Sequence, residues 1–77
     1  MESAVEFINT QDDKGIGLQI TYDGVKYKVK VWFGKTIKEQ TVPCSFEPRF
    51  GMDIIDQNEC LKVAETLALE IEQELKI

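Results

Sequence analysis

Residues 16–33 read IGLQITYDGVKYKVKVWF, two alternating apolar and polar runs on either side of Asp23-Gly24. No other stretch restricts the fold as much. The alternation has the two-residue period of a half-buried strand, and Asp-Gly suits the φ > 0 positions of a type I′ turn. With Asp23 and Gly24 as the loop, Tyr22 faces Val25, Ile20 faces Tyr27, Leu18 faces Val29 and Ile16 faces Val31. These eight apolar side chains share one face. On the other, Thr21 meets Lys26, Gln19 meets Lys28, Gly17 meets Lys30 and Gly15 meets Trp32. A one-residue slip would carry three lysines into the core, where unpaired charges are very costly. The hairpin therefore divides the sheet into an inner and an outer surface.

The remaining segments are expected to edge or cover that ribbon. Residues 4–9 read as a first strand, with Val5 and Phe7 pointing inward and Glu6 outward beside the lysines. Residues 10–15, TQDDKG, are a polar turn. Residues 36–42 admit two pairings with the preceding strand. A two-residue Gly34-Lys35 loop sets Lys30 against Glu39 and Trp32 against Ile37, but turns Lys38 and Gln40 inward. A three-residue loop buries Glu39 and Thr41 instead. Pro43 lacks the N–H of a central ladder and marks an edge.

Residues 57–76 are expected to form a helix. Asp56 is the candidate N-cap, Glu59 stands at the reciprocal capping-box position, and Ile55 is placed to contact Cys60 as a hydrophobic staple. Cys60, Leu61, Ala64, Leu67, Ala68, Ile71 and Leu75 make an apolar stripe wide enough to cover a small sheet. Val63 and Leu69 lie off it. The expected fold is α+β: a three- or four-stranded antiparallel β-meander followed by one C-terminal α-helix packed on one face of the sheet. Residues 1–77 are read as a single small domain.

Charge narrows the function classes. The net charge is −5, yet residues 1–51 hold seven acids and seven bases; residues 52–77 hold seven acids against Lys62 and Lys76. The whole imbalance therefore lies in this C-terminal segment, and residues 1–51 are balanced. No apolar run approaches the ~18 residues of a membrane span. The acidic opening residues lack a secretory leader's pattern, so the expected address is cytoplasmic.

Histidine, the commonest general base and metal ligand, is absent. Two cysteines, Cys44 and Cys60, cannot close a four-ligand zinc site and are read as packed free thiols. Gly15-Ile16-Gly17 precedes a strand and lacks a phosphate-loop lysine. No catalytic residue, cofactor, metal or small-molecule substrate is therefore expected.

Two groups of residues remain as candidate binding sites. Lys26, Lys28, Lys30 and Trp32, with Ile37 in the first pairing, form an apolar patch ringed by lysines on the outer face. Such a patch suits a protein interface, either a homodimer or docking on a larger protein. The alternative is single-stranded nucleic acid, the lysines tracking phosphates while Trp32 stacks a base. Against both stands the plain reading: a solvated lysine face, with the aromatic covering Gly15 and Gly17. Phe46, Arg49, Phe50 and Met52 form the second group, a candidate recognition loop if they do not simply pack on the core. A third function, a small inhibitor offering its acidic helix to a basic enzyme surface, has the least support.

Overall fold

A computed structural model describes residues 5–45, 48 and 51–77. The elements are β1 (Val5–Gln11), β2 (Gly17–Tyr22), β3 (Lys26–Phe33), β4 (Thr36–Pro43) and α1 (Ile54–Leu75). The four strands form one antiparallel sheet in the order β1-β2-β3-β4. Helix α1 then crosses the inner face and packs against β3 and β4. The core comprises Ile16, Ile20, Tyr27, Val29, Val31 and Val42 from the sheet side, with Cys60, Ala64, Leu67 and Ile71 from the helix.

The central hairpin keeps the expected faces but not the expected partners. Tyr22 faces Tyr27, Ile20 faces Val29, Leu18 faces Val31 and Gly17 faces Trp32. The loop residues are Gly24 and Val25, because Asp23 already belongs to the ladder and its N–H donates to the Lys26 carbonyl at 3.2 Å. The Asp23 side chain decides this. Its Oδ1 accepts from the N–H groups of both Val25 and Lys26 at 2.9 Å. Those two bonds, from Lys26 first, hold its carboxyl below the usual range. Gly24, at φ 102°, takes the first central position, where a type II′ turn places glycine. The partner of each residue moves by two, so the faces survive, but Val25 leaves the core for the tip and is 76% exposed.

One other sheet expectation needs correction, and the pairing of β4 is decided. β1 runs on to Gln11 and is bulged between Glu6 and Ile8. The extra residue lets both Phe7 and Ile8 pack against the core, while Val5 is exposed. Glu6 does face outward, where it accepts hydrogen bonds from Gln19 and Asn9. β4 adopts the two-residue-loop pairing, with Trp32 opposite Ile37 and Lys30 opposite Glu39. Its inward Lys38 is tolerated because the ammonium reaches Glu74 at 3.1 Å and Glu70 at 3.7 Å on α1. An inward charge on an edge strand also blocks further strand addition.

The helix begins three residues before the expected start. Asp53, in extended conformation, is the N-cap and accepts from the Ile55 N–H at 2.9 Å. Ile54 and Ile55 are exposed, so Ile55 is no staple for Cys60. Asp56 is the third helical residue and is buried. At the other end Leu75 is exposed rather than part of the stripe, whereas Val63 packs against the core. Lys76 terminates the helix at φ 56°, its N–H donating to the Glu72 carbonyl.

Candidate functional site

The outer sheet face carries the first group of candidate residues, brought together by strand alternation. Lys26, Lys28, Lys30 and Trp32 project from β3, and Ile37 stands opposite Trp32 on β4. Trp32 lies flat over Gly17, its cross-strand partner: any Cβ on that glycine would collide with the indole ring. Gly15, the expected partner, instead lies beside the Phe33 ring. The Lys30 ammonium stands 5.7 Å from the Trp32 ring centroid, within cation–π range. The Lys28 ammonium is 3.6 Å from a Glu39 carboxylate oxygen. Trp32 is thus half-buried by its own sheet, and two of the three lysines have intramolecular partners.

Ile37 is different. It is 53% exposed, and no described element lies over it. The free edge of β4 runs beside it. The patch therefore has one open aliphatic side chain against a fixed indole, with Lys28, Lys30 and Glu39 around it.

Of the second group, Phe46, Arg49 and Phe50 lie outside the described residues. Met52 is half-buried and packs against the core.

A polar cluster inside the core escaped the sequence reading. The buried Asp56 carboxylate accepts from the Tyr27 hydroxyl at 3.3 Å and from the Ser45 N–H at 3.2 Å. The Cys44 thiol lies 3.8 Å from the same Tyr27 hydroxyl. Burial pushes the Tyr27 hydroxyl above its usual range, with Cys44 and Asp56 adding to the shift. Burial likewise raises the Cys60 thiol from 9.0 to about 11, helped by the negative charge of Asp56. Both shifts favour the protonated form. The cluster ties the helix start to β3 and to the chain leaving β4, with Tyr27 and Asp56 buried, Cys44 half-buried and Ser45 exposed. Its sequence trace was the spacing of Asp56 to Cys60, Ala64, Leu67 and Ile71, which places Asp56 on the apolar stripe.

The acidic flank of α1 is partly neutralised within the chain. Glu70 and Glu74 meet Lys38, and Glu72 meets Lys14 at 2.6 Å. Among the described residues, no three His, Cys, Asp or Glu side chains are grouped to hold a metal ion. No described helix is long and apolar enough to cross a membrane.

Comparison with known proteins finds no matching family model, curated protein or solved structure.

Proposed function

We propose that this chain is a non-enzymatic protein-interaction module that self-associates through the outer face of β3 and β4. The observation that carries the reading is Ile37, exposed opposite a Trp32 that its own sheet already holds in place. A preorganised aromatic beside an open aliphatic group costs little side-chain entropy on burial, which is how interface anchors work. Charge supports the same choice. The surplus of acids sits on α1, across the sheet, so two copies meeting through their outer faces bring near-neutral surfaces together. The lysines and Glu39 then form a mixed-charge rim around the contact.

The nucleic-acid reading draws less support from the same geometry. Trp32 presents one ring, flattened on Gly17, with Lys30 over it and Lys28 engaged by Glu39. The inhibitor reading is weakened by the lysines that already occupy Glu70, Glu72 and Glu74. The buried Cys60 thiol suits a reducing, cytoplasmic setting for the module.

Sedimentation velocity at micromolar concentration tests the reading. The wild-type chain is expected to sediment as a dimer and Ile37→Glu as a folded monomer. A wild-type chain that stays monomeric across that range contradicts it.

A further inference from the structure

Of the sheet's edges, β4 is blocked and β1 is open. On β4 the inward Lys38 and the terminal Pro43 oppose the addition of a further strand. β1 carries no proline, no basic residue and no inward charge. Its bulge lies between Glu6 and Ile8, and from Ile8 onward the register is unbroken. There Ile8 faces Ile20, Asn9 faces Gln19, Thr10 faces Leu18 and Gln11 faces Gly17. The Asp12 N–H donates to the Ile16 carbonyl at 3.0 Å. Antiparallel strands turn the backbone groups of alternate residues toward the partner, so Asp12, Thr10 and Ile8 address β2. The N–H and C=O groups of Asn9 and Gln11 therefore point to the open side, where no described element lies. Both residues are exposed. Separate hollows lie at the inner side of this strand. One of about 260 Å³ is lined by Phe7, Ile8 and Met52, and another of about 330 Å³ by Thr10, Leu18 and Leu61.

We propose that β1 takes an extended segment of a protein partner as an added strand, apolar on its inner side and basic on its outer side. The backbone groups of Asn9 and Gln11 supply the ladder, and an extended strand answers donors and acceptors in that arrangement. Alternate side chains of the added strand fall on the same side as Phe7, Ile8 and Thr10, at a repeat of ~6.8 Å. The separate hollows beneath β1 give such side chains places to lodge. On the outer side the added strand lies beside Glu6, Asn9 and Gln11. Glu6 Oε2 accepts from Gln19 at 2.7 Å and from Asn9 at 3.3 Å. Both donors are neutral amides, so the carboxylate has no cationic partner among the described residues and suits a lysine or arginine across the new ladder. A second copy's β1 cannot supply one. Its Val5–Gln11 contains Glu6 and no base, so pairing β1 with itself leaves that acid without a counter-charge. The edge lies on the far side of the sheet from β4, so this proposal stands or fails apart from contact through Trp32 and Ile37.

The test is amide hydrogen exchange, followed by NMR on the full-length chain, with a capped peptide of about seven residues alternating valine and lysine. In the free chain the Asn9 and Gln11 amides are expected to exchange quickly and those of Ile8 and Thr10 slowly. Adding the peptide should slow Asn9 and Gln11 about tenfold or more. Peptides N-methylated on every valine or on every lysine should differ, because one set of N–H groups faces β1 and the other faces solvent. Asn9→Pro removes an edge N–H and leaves the ladder to β2 in place. It is expected to abolish binding while thermal unfolding stays cooperative. Glu6→Lys should weaken binding about tenfold, and a peptide of valine and glutamate should not bind. The proposal is overturned if the Asn9 and Gln11 amides are already protected in the free chain, or if the peptide protects β4 instead. It is equally overturned if both N-methylated peptides bind alike, if the acidic peptide binds as well, or if Asn9→Pro leaves the affinity unchanged.

Discussion

At Asp56 a carboxylate stands where the apolar stripe of the helix would otherwise place an aliphatic side chain, and it survives there because Tyr27 and Ser45 donate to it. Removing it takes a partner from the buried Tyr27 hydroxyl, whereas the Ser45 N–H belongs to an exposed residue that water can reach. Asp56→Ala is therefore expected to lower stability by about 1–3 kcal/mol, chiefly through Tyr27, read from urea denaturation. An unchanged midpoint would mean the cluster is not holding the helix start. The neighbouring Cys60 gives a pH signature. Its thiol titrates near 9.0 when unfolded and near 11 when folded, so the native state retains the proton that the unfolded chain gives up. Stability is then whole below pH 9 and falls as the pH rises through that window. Urea midpoints between pH 9 and 11 should decline for the wild type and decline less for Cys60→Ala, with the part due to Tyr27 remaining. Asp56 was partly legible in the sequence. Its spacing to Cys60 put it on the stripe, but in sequence it reads as the N-cap, and an exposed cap is the ordinary place for a carboxylate.

At the scale of elements, local side-chain bonds moved boundaries that hydrophobic alternation alone could not fix. The division of the hairpin into two faces was legible because a one-residue slip buries lysines, whereas a two-residue shift keeps both faces and costs nothing in pattern. Asp23 made that shift by capturing the N–H groups of Val25 and Lys26. The pairing of β4 stayed open in the sequence because Lys38 looked unburiable. Only the helix acids, distant along the chain, make its inward position tolerable. The helix start is set by Asp53, and Asp53→Ala should cost about 1 kcal/mol, as N-cap losses do. Helical circular dichroism under mild denaturant checks it. The Gly17 and Trp32 contact makes a sharper prediction. A methyl at position 17 collides with the indole, so Gly17→Ala must swing Trp32 off the sheet. Its emission should shift to the red, and an unshifted spectrum would show that the ring does not lie there.

At the scale of the molecule, the chain separates its surplus of acids from the apolar patch on its outer face. The acids gather on α1, and the sheet's far side is close to neutral, with Ile37 exposed beside a fixed Trp32. Composition showed that the charge was segregated. Only the register showed that Trp32 and Ile37 face each other and that Gly17, not Gly15, supports the ring. The claim that two copies meet through the outer face is tested most directly by an isotope-filtered NOE experiment on a mixture of ¹³C-labelled and unlabelled chains. Intermolecular NOEs to the Ile37 methyl groups and the Trp32 ring are predicted. Their absence at concentrations where the chain is associated, or an interface mapped to α1 alone, would contradict the account.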